Sequence, residues 1–139
     1  MFRAILLFVC LNLAGCWNQD DWFSNCLPPE GPEFLTDSLP SATLNEVYQS
    51  NIKVNITNNP LDDSYQYYFY VSGDLPEGLT TYQKAHERTL SIEGTPVVSG
   101  SFSIKVSVEV RDATLGQYQT ADLCTVDASK HYTLVVNQI

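Results

Sequence analysis

The sequence predicts an all-β fold, an antiparallel β-sandwich of about seven strands. Three observations carry that expectation. From Phe34 onward apolar and polar residues alternate with a period of two, the mark of strands with one buried face. No stretch repeats its apolar residues at helical spacing. The alternating runs are separated by turn chemistry, with 7 Gly and 7 Pro among 139 residues. That length suits one domain, and a hydrophobic content of 44% suits a packed core. Lys and Arg total 7 against 16 Asp and Glu, a net charge of -9, so the basic face that a nucleic-acid binder needs is missing.

The chain opens with a short address. Met1-Phe2-Arg3 is a positive start, and residues 4–13 (AILLFVCLNL) form an apolar run too short to span a bilayer. Leu13-Ala14-Gly15-Cys16 follows at once and resembles a bacterial lipobox. The resemblance implies diacylglycerol on the Cys16 sulfur, cleavage before Cys16, and acylation of the new amine. Residues 1–15 are then a lipoprotein signal peptide. Each buried methylene contributes about 0.8 kcal/mol, and two or more chains make anchoring stable. Cleavage removes Arg3 and takes the net charge from -9 to -10, so an acidic body at an anionic membrane depends on the lipid.

Residues 16–33 are the lipidated N-terminus and tether. The stretch is polar, with three prolines and with Trp17 and Trp22, whose indoles suit a headgroup interface. The sandwich is expected over 34–139. A first strand is placed at 34–37. Ile52-Lys53-Val54-Asn55-Ile56-Thr57 alternates cleanly, and residues 65–71 (YQYYFYV) form an aromatic strand. Short strands are expected at 80–84 and 89–93. Residues 102–111 (FSIKVSVEVR) put five apolar side chains on one face and five polar ones on the other. Residues 131–137 (HYTLVVN) close the domain. In Leu75-Pro76-Glu77-Gly78, Pro76 pre-sets φ and Gly78 suits the last position of a type I turn.

Of four cysteines, Cys10 leaves with the signal and Cys16 takes lipid. Cys26 and Cys124 remain in an exported, oxidising compartment, and a Cys26–Cys124 disulfide is the natural pairing. Cys26 lies eight residues before Phe34, where the first strand is expected, and Cys124 eight before Tyr132 in the last. If the first and last strands run parallel, the two thiols share an end. Closing so long a loop is worth up to about 4 to 5 kcal/mol in the chain-entropy account.

An ordered set of short motifs resembles a known family. Leu39-Pro40 precedes Tyr48; Leu75-Pro76-Glu77-Gly78-Leu79, Gly94-Thr95-Pro96 and Gly100-Ser101-Phe102 follow, and Tyr132-Thr133-Leu134-Val135-Val136 ends the set. This is similar to the immunoglobulin-like domain of bacterial surface proteins, related to dystroglycan-type cadherin-like domains, over roughly residues 34–137. The resemblance implies an Ig-like sandwich used for adhesion or protein contacts, without catalysis. Asn45 stands where that family often has glycine, residues 83–88 (QKAHER) are a charged insert, and the chain carries one copy of the module.

Chemistry-bearing motifs are sparse. His86 and His131 sit in no ligand-spaced cluster and read as solvated or edge histidines. Val98-Ser99-Gly100-Ser101-Phe102 reads as a turn entering a strand, not a nucleophile elbow. There is no phosphate loop and no Cys-x-x-Cys. Catalytic, cofactor-binding and metal-binding residues are therefore assigned to none. Strand alternation puts Asp62, Asp63, Asp112, Asp122 and Asp127 at one end. Without an Asp-x-Asp run they read as a solvated rim more than as a calcium site. A ten-residue tether from Cys16 to Cys26, at most about 35 Å long, would turn that end to the membrane. The turns at 75–79 and 94–96 would then face outward. If Tyr65, Tyr67, Phe69 and Val71 face the core, Tyr68 and Tyr70 point out beside the polar face of 102–111, a candidate contact face.

Two functional readings stay open. One is a membrane-anchored lipoprotein whose sandwich is a non-catalytic binding, adhesion or structural module for a protein or cell-surface partner at a bacterial envelope. Trp17 after the acylated cysteine favours the outer membrane in a Gram-negative host. The other is a periplasmic inhibitor or immunity-type lipoprotein that blocks an enzyme or a secretion component.

Overall fold

The computed structural model describes residues 30–59, 62–112 and 123–138. They form eight strands and one turn of 3-10 helix, in the order β1 (Gly31–Phe34), β2 (Ala42–Thr43), β3 (Tyr48–Thr57), the helical turn Asp62–Ser64, β4 (Tyr65–Gly73), β5 (Leu79–Gln83), β6 (Thr89–Gly94), β7 (Gly100–Asp112) and β8 (Asp127–Asn137). Two four-stranded sheets have the orders β1-β3-β6-β5 and β2-β8-β7-β4. All pairings are antiparallel except β2 with β8, which is parallel. This is the all-β, two-sheet sandwich expected, with the short parallel β2 as the eighth strand.

Period-two patterning explains the faces. Ile104, Val106, Val108 and Val110 of β7 are buried, as are Tyr132, Leu134 and Val136 of β8 and Ile52, Val54 and Ile56 of β3. The core has two parts. The larger gathers Ile52, Ile92, Ile104, Val106 and Leu134; the smaller packs Val54, Ile56, Val108 and Val110 around Tyr67. Tyr67 is 2% exposed at the centre of that second part.

Several strands run longer than expected, β3 from Tyr48 and β7 from Gly100, and the first and last strands start earlier. The first strand begins at Gly31, not Phe34, because residues 31–34 pair with 54–57 of β3. Pro32 is tolerated there because β1 lies at a sheet edge. The last strand begins at Asp127, where it pairs with Glu109. Residues 35–41 then cross from one sheet to the other, held from both sides. The Tyr132 hydroxyl and Lys130 Nζ donate to the Thr36 carbonyl at 2.9 and 2.8 Å, and the Tyr48 hydroxyl donates to the Pro40 carbonyl at 3.0 Å. Asn45 takes a left-handed conformation, φ 61°, that glycine would adopt without strain.

Candidate contact face

The outward side of β4 and β7 carries the residues the sequence singled out. In antiparallel register Tyr68 faces Glu109 and Tyr70 faces Ser107, while Gln66 faces Arg111. Alternation buries Tyr67 and sends Gln66, Tyr68 and Tyr70 the other way, as expected. Tyr70 is 53% exposed, and its hydroxyl donates to Glu109 Oε2 at 3.4 Å.

Tyr68 points outward too, but it is a packed side chain. The Arg111 guanidinium lies 4.3 Å from its ring centroid, the His86 imidazole 4.4 Å from it, and its hydroxyl donates to Gln66 Oε1 at 2.9 Å. Arg111 also donates from Nε and Nη2 to Glu109 at 2.8 and 3.2 Å. That hydrogen bond holds the Glu109 carboxyl below its ordinary range and raises the Arg111 guanidinium. His86, Tyr68, Arg111, Glu109 and Tyr70 thus form one pre-set ridge of alternating cationic, aromatic and anionic groups. Sequence reading named its two tyrosines and missed Arg111, Glu109 and His86. The available signal was the polar phase of 102–111, which must lie beside the polar phase of 65–71.

The charged insert is what brings His86 there. Lys84-Ala85-His86-Glu87 is a tight turn closed by the Glu87 amide on the Lys84 carbonyl at 2.8 Å, with Ala85 at φ 31° and His86 at φ 60°. Several bonds hold it there. The Tyr67 amide donates to the His86 carbonyl at 3.0 Å, the Gln83 side-chain amide donates to the carbonyls of Tyr67 and Glu87, and Arg88 pairs with Asp63. The insert so covers the open edge of β4 at Tyr67. Between insert and strand lies a cleft of about 490 Å3, lined by Tyr65, His86 and Arg88 among others.

The ends of the sandwich are chemically distinct. At one end the Glu30 carbonyl accepts the amides of Cys124 and Thr125 at 3.0 and 3.2 Å, and Tyr65 pairs with Asp112. Asp63, Asp112 and Asp127 gather there as expected. Among the described residues no group of three or more His, Cys, Asp or Glu is arranged to hold a metal. Cys16, Cys26 and Asp122 lie outside the described residues. At the opposite end the turns at 75–78 and 94–96 interlock, the Thr95 amide donating to the Gly78 carbonyl at 3.0 Å. No helix among the described residues is long and apolar enough to cross a membrane.

No protein-family model matches the chain, and no curated protein matches its sequence. Solved structures do resemble it. The endo-fucoidan hydrolase MfFcnA9 from glycoside hydrolase family 107 is 21% identical over 84% of this chain and 18% of that one, with a TM-score of 0.54. The endo-fucoidan hydrolase MfFcnA4 of the same family is 18% identical over 91% of this chain and 15% of that one, at 0.50. The chain spans less than a fifth of either hydrolase, and at such identity the likeness is one of fold.

Proposed function

We propose that the protein is a bacterial lipoprotein, acylated on Cys16, whose Ig-like sandwich is a non-catalytic binding module at the cell envelope. In a Gram-negative host its place is the outer membrane. The observation that carries the binding reading is the ridge on β4 and β7. A half-exposed Tyr70 stands beside a Glu109–Arg111–Tyr68 network already locked in place, so a partner would meet a contact surface with little left to order. The motif resemblance to immunoglobulin-like domains of bacterial surface proteins belongs to the same reading.

The Cys26–Cys124 bridge is part of the proposal. One observation supports it: the Cys124 amide is held on the carbonyl of Glu30, four residues beyond Cys26. A bridge there would bring the tether to the end that gathers Asp63, Asp112 and Asp127.

The test is Tyr70→Ser in the full-length chain, cross-linked in the native envelope. Tyr70 has an exposed ring and a single long hydrogen bond, so stability should change by no more than about 0.5 kcal/mol. Cross-linked partner adducts should disappear. Adducts of unchanged yield would overturn this reading.

A further inference from the structure

We propose that the end of the sandwich remote from Glu30 is a second docking surface: an apolar tip with an acidic rim that seats on a protein presenting an apolar socket flanked by Lys and Arg. The proposal stands on different residues from the Tyr70 ridge and does not depend on it.

The tip is built from three turns. Val47 is 88% exposed, Val97 50% and Val98 43%. Nothing in the fold requires valine at these places, since the turns are closed by main-chain bonds and by Pro76 and Pro96, which are fully buried. The Asn45 amide donates to the Pro96 carbonyl at 2.9 Å and the Val97 amide to the Glu77 carbonyl at 3.0 Å, lacing the turns at 44–47, 75–78 and 94–98 together. Of the other exposed large apolar residues, Leu35, Tyr70 and Tyr82 are spread over separate strands and connectors, and Val135 lies on β8 opposite Ser101. Clustered exposed apolar side chains mark a contact site more often than scattered ones do. Because the three turns are pinned to one another, seating a partner would order little of this chain.

Charge names the partner. Glu46, Asp74, Glu77 and Glu93 surround the tip, and none is in an ion pair among the described residues. One described cation comes near them: Lys105 lies opposite Ser72, two residues before Asp74, and makes no ion pair with it. Lys53 and Lys130 sit farther along their strands, and Lys84, Arg88 and Arg111 lie towards the opposite end. A tip of this sign is repelled by an anionic bilayer and by a second copy of itself, which would bring eight carboxylates together. A cationic rim around an apolar socket is complementary to it.

The experiment places the photo-crosslinker p-benzoylphenylalanine at position 97, and in a separate strain at position 70, in the full chain in its native envelope. Position 97 should yield one protein adduct whose cross-linked peptide is apolar and flanked by Lys or Arg. Glu46→Lys with Glu77→Lys should lower that yield at least tenfold with unchanged melting, since both side chains are exposed. The inference is overturned by an adduct to lipid, to a second copy, or to a peptide without flanking cations. A yield indifferent to the charge reversal, or no adduct from position 97, overturns it too. Adducts from position 70 alone would refute the tip and leave the ridge reading standing; adducts from position 97 alone would do the reverse.

Discussion

Tyr132→Phe isolates one hydrogen bond in the crossing between the sheets. The ring is 2% exposed, edge-on to Phe34 with centroids 6.2 Å apart, and phenylalanine keeps that packing. What is lost is the hydroxyl's bond to the Thr36 carbonyl at 2.9 Å. Lys130 Nζ still donates to the same carbonyl at 2.8 Å, so no acceptor is orphaned. The loss is then that of an ordinary bond, about 1 kcal/mol at pH 7, and not the larger penalty of a stranded polar group. Alkaline pH supplies a second, signed test. Burial pushes the Tyr132 phenol up to about 12 from its ordinary 10. Above pH 10 the unfolded chain therefore releases this proton while the folded chain keeps it. The associated stability is complete below pH 10 and falls by up to about 1.4 kcal/mol per pH unit as pH rises towards 12. Phenylalanine has no such proton, so the gap between wild type and variant should close and then invert near pH 11. Urea unfolding of the purified chains at pH 7, 10 and 11.5 reads both effects. A variant within about 0.3 kcal/mol of wild type at pH 7, or a gap that stays constant to pH 11.5, would refute the assignment of Tyr132 as a buried donor.

Other perturbations test other parts. Gly78 sits at φ 93° with its Cα against the Thr95 carbonyl, where an added Cβ would come within 2.0 Å of that oxygen. Gly78→Ala should therefore destabilise the fold by roughly 2–3 kcal/mol, and a melting temperature near that of wild type would show that the interlocked turns are looser than described. The Glu109–Arg111 pair lowers the Glu109 carboxyl, so its contribution is present above the ordinary carboxylate range and lost as pH falls through the depressed value. Glu109→Gln should abolish that part of the acid dependence, and superimposable acid limbs in urea unfolding would count against the pair. Arg111→Lys should keep the charge but weaken the planar contact with Tyr68. A loss of His86 and Tyr68 ring-current shifts in NMR spectra is expected, and unchanged shifts would mean that the ridge does not need the guanidinium.

Strand faces were legible wherever a long run alternated. The five apolar residues of 102–111 and the tyrosines of 65–71 point where their phase demands. Boundaries were hidden where composition and context disagree. Pro29, Gly31 and Pro32 look like linker, yet Pro32 fits an edge strand because its neighbours find β3. Ala42 and Thr43 are too few for any period, and β2 exists only through its register with Val136 and Asn137. The ridge was half legible for the same reason. Alternation sent Tyr68 outward, but only cross-strand register brought Arg111 over it. Only a turn with two consecutive left-handed residues, Ala85 and His86, in a sequence with no Asn-Gly signal, brought the imidazole. The tip joins Val47 to Val97 across about fifty positions, a juxtaposition that topology creates and no local pattern announces.

Metabolic labelling with alkyne-palmitate, on wild type and Cys16→Ser in the same cells, tests the lipid-anchored module most directly. Wild type should carry the label and sediment with membranes, while the variant should be unlabelled and released. An unlabelled wild type, or a variant that still labels and sediments, would contradict the account.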